Sequence, residues 1–161
     1  MTISAGDKLP EANLIRLGAN GPEAVSVSDL TRGRKVVIFA VPGAFTPTCH
    51  SAHVPSFVRT IDQFKAKGVD EVVCISVNDV FVMKAWGEAT GATAAGISML
   101  SDTGEYTKAL GLSFDGAAAG LIGRSKRYAM YVVDGVVEKL HLEESPGACE
   151  ISGGEALLAE I

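Results

Sequence analysis

The sequence has 161 residues, 47% apolar and 20% charged, which suits one globular domain with a full hydrophobic core, spanning residues 1–161. Its formal charge of −5 gives no attraction for nucleic acid or an anionic membrane surface, and no run approaches the roughly eighteen apolar residues of a membrane span. The three cysteines form no C-x-x-C pair, their odd number argues against a secreted disulfide framework, and residues 1–8 carry no apolar leader, so the expected setting is soluble and cytoplasmic.

Residues 11–17 and 25–28 read as short strands around the turn-forming Gly18-Ala19-Asn20-Gly21-Pro22, a small hairpin. Residues 35–41 are a nearly unbroken β-branched and apolar run, as in a central strand covered on both faces. The segment Pro42-Gly43-Ala44-Phe45-Thr46-Pro47-Thr48-Cys49 follows directly. From Thr48 onward Val54, Phe57, Val58, Ile61 and Phe64 recur at three and four residues, one buried stripe of a long helix that Gly68 stops. Pro55 predicts a kink near its first turns. His50, four before Val54 and seven before Phe57, extends the stripe as packing. Residues 71–77 form a second buried strand, and Asn78-Asp79 cap a helix over 80–90 in which Phe81 and Trp86 belong to the core. A strand over 97–100, a short helix over 104–110 and a glycine- and alanine-rich loop over 111–123 come next. Residues 127–133 and 136–142 flank Asp134-Gly135, a two-residue hairpin signal, and a helix over 154–160 closes the chain. Strand–helix units followed by an antiparallel hairpin and a last helix describe an α/β protein, a mixed central sheet flanked by helices in a thioredoxin-like fold.

Cys49 falls in the first turn of its helix, where unpaired N–H groups and the positive end of the helix dipole favour an anion, so a thiol there ionises more readily than a free one. That makes it a candidate nucleophile; the plainer reading is a small buried hydrophobe. His53 lies four residues on, on the same helical face, either as a partner of the thiol or as a neutral histidine packed beside the loop. Taken alone, Thr46 is a turn residue before Pro47 and Pro42 ends a strand. Arg127, clustered with Arg124 and Lys126, reads as part of a solvated charge run.

In Pro42, Thr46 and Cys49 the chain carries the Pro-x-x-x-Thr-x-x-Cys pattern of the peroxiredoxins, which it resembles. The likeness continues through Cys49-His50-Ser51-Ala52-His53-Val54-Pro55, Cys74-Ile75-Ser76-Val77-Asn78-Asp79, Phe81-Val82-Met83-Lys84-Ala85-Trp86 and Arg127-Tyr128-Ala129-Met130. It is to the type II, peroxiredoxin-five-like branch; the Val-Cys-Pro motif and C-terminal Tyr-Phe extension of the typical two-cysteine branch are missing. The resemblance implies a thiol peroxidase for hydrogen peroxide and small alkyl hydroperoxides, with no cofactor. Cys49 becomes a sulfenic acid, Arg127 holds thiolate and peroxide, Thr46 orients the peroxide, and Pro42 shields the sulfur from water. It also implies a homodimer, paired through loops around the active-site helix, where Ala44-Phe45 would otherwise be exposed.

Three recycling routes stay open: an external reductant, namely glutathione, glutaredoxin or thioredoxin; Cys74, where many plant and bacterial relatives keep a resolving cysteine but which here must leave a buried strand; and Cys149, near the animal resolving position on a loop. The external thiol ranks first. Two other functions are compatible with the residues. Cys49, His50 and His53 offer soft and imidazole ligands for a thioredoxin-like carrier of copper or zinc, although a nearby guanidinium repels a metal ion. An interaction module using exposed apolar surface is the other.

Overall fold

The structure is a computed structural model that describes residues 2–161. Strands β1 (Asn13–Gly18) and β2 (Gly21–Ser26) form the entry hairpin, and α1 (Val27–Thr31) follows at once. The strand expected at 25–28 therefore ends at Ser26, whose hydroxyl caps the short helix by accepting from Asp29 N–H at 3.0 Å. The central run is β3 (Lys35–Val41), joined through the cysteine segment and a π-helical turn (Cys49–His53) to α2 (Val54–Ala66). Then come β4 (Glu71–Ser76), α3 (Val80–Thr90), α4 (Ala92–Ala95), β5 (Ser98–Ser101) and α5 (Glu105–Leu110). Residues 111–123, expected as a loop, instead contribute to a two-stranded ribbon of β6 (Ser113–Gly116) and β7 (Leu121–Ser125), its turn built from the Gly and Ala that hid it. Strands β8 (Tyr128–Val133) and β9 (Val136–Leu142) and helix α6 (Gly154–Leu158) complete the chain.

Seven strands make one mixed sheet in the order β2-β1-β5-β4-β3-β8-β9, with β3, β4 and β5 parallel and the hairpins antiparallel at its flanks. Period-two alternation divides β3 between two cores. Val36, Ile38 and Ala40 face Leu14, Tyr106 and Met130; Val37, Phe39 and Val41 face the side that holds Cys49, Phe57, Phe64, Cys74 and Trp86. On that second side the Phe57 ring stacks on Phe39 at 4.0 Å and lies 5.9 Å from Phe64. Burying each such ring is worth about 1.5–3 kcal/mol, which locks α2 against the sheet.

Asp79 caps α3 as its position predicts, accepting from Phe81 and Val82 N–H at 3.0 and 2.9 Å. Phe81, however, is 62% exposed. The buried face of α3 runs through Val80, Met83, Trp86 and Gly87, and Phe81 stands about 100° round the helix from it. At the β8–β9 turn Asp134 and Gly135 both take left-handed backbone, φ 48° and 79°, as a twisted two-residue hairpin requires.

Candidate active site

Pro47 opens the helix, where a residue without an N–H loses nothing, and His50 N–H donates to Thr46 O at 2.9 Å. The next turn is wide: Val54 N–H reaches back five residues to Cys49 O. Pro55 has no N–H to donate, so the kink expected there takes the form of this π turn just before it. The extra residue brings Cys49 and His53 inward together, both fully buried, and leaves His50 exposed. His50 is thus not part of the core stripe. It accepts from Trp86 Nε1 at 3.0 Å, and its ring stacks 5.9 Å from that of Phe45.

Arg127, immediately before β8 and 2% exposed, reaches across to this turn. Its Nη2 donates to Cys49 Sγ at 3.0 Å and to Pro146 O at 2.9 Å, its Nε to Pro146 O at 3.3 Å, and its Nη1 to His53 Nδ1 at 2.9 Å. The last bond fixes the tautomer of His53. With Nδ1 an acceptor, Nε2 carries the proton and donates to Ser152 O at 2.9 Å. Burial, and then the charge of Arg127, push the His53 pKa down to about 3 against the opposing pull of the Ser152 carbonyl, so the ring is neutral. Among the described residues no carboxylate pairs with Arg127. An isolated buried cation costs several kcal/mol, on the order set by ion desolvation, unless an anion lies beside it. The group within hydrogen-bond reach that can become one is the Cys49 sulfur.

The segment ahead of Cys49 is tied to the sheet by Asn78, which sequence reasoning treats only as a helix-capping residue. Its Oδ1 accepts from Ala44 N–H at 2.9 Å and from the Ser76 hydroxyl at 2.6 Å. Phe45, in this segment, holds a left-handed backbone at φ 65°, a strain of about 1–2 kcal/mol for a non-glycine residue.

A redoxin family model matches residues 4–158. A chloroplastic peroxiredoxin-2E-2 of rice is 49% identical over 99% of this chain and 73% of its own length. The chain belongs to the peroxiredoxins. Among solved structures, reduced Prx3 of Vibrio vulnificus in complex with hydrogen peroxide shares 49% identity at a TM-score of 0.92, covering 99% of each chain. Peroxiredoxin 5 of Alvinella pompejana shares 34% at 0.83, covering 98% of this chain and 96% of its own, which agrees with the type II, peroxiredoxin-five-like branch. The fold is the thioredoxin-like one of the family, and the peroxiredoxin is a thiol-dependent peroxidase.

Of the four residues singled out in the sequence, the structure joins Cys49 and Arg127 directly. Thr46 stands one turn before the cysteine; its hydroxyl donates to Gly43 O at 2.6 Å, leaving its oxygen as an acceptor. Pro42 is buried, and its carbonyl accepts from Arg124 Nη1 at 3.4 Å, which seats β7 over the segment. The metal-carrier reading is not supported. Cys49 and His53 both bind the guanidinium, His50 turns to Trp86, and among the described residues no cluster of three or more His, Cys, Asp or Glu side chains could hold a metal ion. Cys74 is fully buried in β4 between Phe39 and Met99 of its neighbours, and burial, with the charge of Cys49, pushes its pKa well up. Cys149 is half-buried, near the Ser152 hydroxyl at 3.8 Å, and burial raises its pKa as well. All three thiols are free.

Proposed function

We propose that this peroxiredoxin, acting as a single domain over its whole length, reduces hydrogen peroxide and small alkyl hydroperoxides at Cys49. The observation that carries the reading is the buried Arg127 guanidinium, which has no carboxylate partner among the described residues and donates to Cys49 Sγ. With the guanidinium as counter-ion, the thiolate attacks the terminal peroxide oxygen. An S–O bond forms as the O–O bond breaks, sulfur is oxidised to the sulfenic acid, and the departing alkoxide or hydroxide leaves as alcohol or water after taking a proton. Arg127 holds both the sulfur and the oxygen on which charge develops, since its planar fork presents several donors in a fixed geometry. Thr46 accepts a hydrogen bond from the peroxide O–H, and Pro42 limits water at the sulfur.

Support comes from the Vibrio vulnificus relative, whose structure holds hydrogen peroxide in the reduced protein. Cys49→Ser is expected to abolish peroxide consumption, and one equivalent of peroxide should add a single oxygen to Cys49 in the mass spectrum. Turnover near the unsubstituted rate in Cys49→Ser overturns the mechanism.

An external thiol, glutathione with glutaredoxin or else thioredoxin, completes the cycle in this reading. What supports it is the placement of Cys74, whose departure from the middle of the sheet requires local unfolding. A homodimer paired through the loops around the active-site helix, where Phe45 is 51% exposed, is read by analytical ultracentrifugation at micromolar concentration. No helix among the described residues is long and apolar enough to cross a membrane. The cytoplasm is the compartment this reading favours, since an odd number of cysteines makes no secreted disulfide framework, while some of the similar plant proteins are named as chloroplastic or mitochondrial; cell fractionation decides between them.

A further inference from the structure

The segment after β9 touches the site through backbone oxygens. Pro146 O accepts from Arg127 Nη2 and Nε, Ser152 O from His53 Nε2, and Gly147 O from the Thr48 hydroxyl at 2.9 Å. A carbonyl points wherever its chain is held, and no helix or strand holds this chain between Leu142 and Gly154. Glu143 does. It is 7% exposed, and its Oε2 accepts from the N–H groups of Glu150, Ile151 and Ser152 at 2.8, 2.9 and 2.7 Å and from the Ser152 hydroxyl at 2.7 Å. Its own N–H donates to Arg127 O at 3.0 Å, so its backbone is pinned to the residue whose guanidinium faces the sulfur. Burial works against the carboxylate, but the donors from Ser152, Ile151 and Glu150 outweigh it and hold its pKa below the ordinary value. The charged form therefore closes the segment.

We propose that Glu143 is a positioning residue for the peroxidase reaction: it folds residues 143–152 so that the Pro146 and Ser152 carbonyls set Arg127 and His53 against Cys49. The proposal rests on the reading that Arg127 stabilises the reacting sulfur. Without the carboxylate, three N–H groups lose their acceptor and the segment opens. Arg127 then loses the oxygen that receives two of its donors, and His53 loses the partner that keeps Nδ1 an acceptor. The guanidinium is free to turn from the sulfur, and its contribution to the transition state falls while both cores remain intact.

A double-mutant cycle on the full chain tests this, with Cys49 oxidation by hydrogen peroxide followed by stopped-flow fluorescence of Trp86. Glu143→Ala is expected to slow oxidation by about tenfold or more, yet to change it less than about twofold in an Arg127→Ala background. The pH midpoint for alkylation of Cys49 should rise in the single variant and stay put in the double. An equal slowdown in both backgrounds, or an unchanged rate in Glu143→Ala, overturns the proposal. An unchanged rate in Arg127→Ala alone instead overturns the reading beneath it. If Glu143→Ala does not fold, Glu143→Gln goes through the same cycle, with about a threefold slowdown expected and the same two outcomes against.

Discussion

His53 links stability to pH in a direction that its hydrogen bonds dictate. Its pKa is about 3 in the folded protein against an ordinary value of 6.5, because a second positive charge would be buried beside Arg127. Between those values the unfolded chain binds a proton that the native protein refuses. The contribution is therefore complete above 6.5 and is lost as the pH falls toward 3, at up to about 1.4 kcal/mol per pH unit. At about pH 5 the loss amounts to ~2 kcal/mol, and it is insensitive to how far below 5 the native value lies, since the unfolded chain's pKa alone then sets it. The buried Glu143, whose pKa is below 4.5, adds little at that pH. His53→Gln keeps a donor for Ser152 O and an acceptor for the guanidinium but cannot titrate. Urea unfolding at about pH 7.5 and about pH 5 should show the unsubstituted protein losing ~2 kcal/mol more than the variant. Equal losses in the two proteins would mean that His53 is not held neutral between Arg127 and Ser152.

Arg127→Ala should slow the first oxidation of Cys49 by about two orders of magnitude, ~2.7 kcal/mol of transition-state stabilisation, measured by stopped-flow fluorescence of Trp86. Gly154→Ala should lower stability by about 1–3 kcal/mol in thermal melts, because a β-carbon there would lie 2.5 Å from Ser56 O and 2.4 Å from Thr60 Oγ1, where α6 crosses α2. The double variant Cys74→Ser, Cys149→Ser should retain full peroxidase turnover with glutathione and glutaredoxin and carry one glutathione adduct, on Cys49, after peroxide. Loss of turnover in Cys74→Ser alone, with a Cys49–Cys74 disulfide in the oxidised protein, would show that β4 does open.

The elements with a strong period were legible. The run at 35–41 is β3 to the residue, Asp134-Gly135 makes its turn, and Asp79 caps its helix, because each rests on local chemistry. Cys49 and Arg127, 78 residues apart, could be paired in the sequence only through the family pattern, since neither spacing nor composition joins a helix start to a distant strand. What escaped has physical reasons. A π turn is invisible to a count of threes and fours, which puts His50 on a buried face that it does not occupy. The β6–β7 ribbon is short and little buried and leaves no apolar period. Pro146 and Ser152 act through carbonyls that every residue possesses, and no side-chain pattern marks them; Glu143, the residue that aims them, stands beside a second glutamate with nothing in the sequence to separate the two.

The π turn at Cys49–His53 is an α-helix carrying one residue more than its hydrogen bonds need. Loss of a single codon at Ser51 or Ala52 would let the turn close to the α form. Cys49 O would still accept from Val54 N–H, then four residues on, so the helix before and after the turn would keep its phase and α2 its seat on the sheet. Cys49 and His53 would stand three residues apart rather than four, and the thiol and ring that Arg127 spans would be re-spaced in a protein whose cores were untouched. The extra residue of the turn thus sets the spacing of sulfur and imidazole across the guanidinium, independently of the packing that holds the helix.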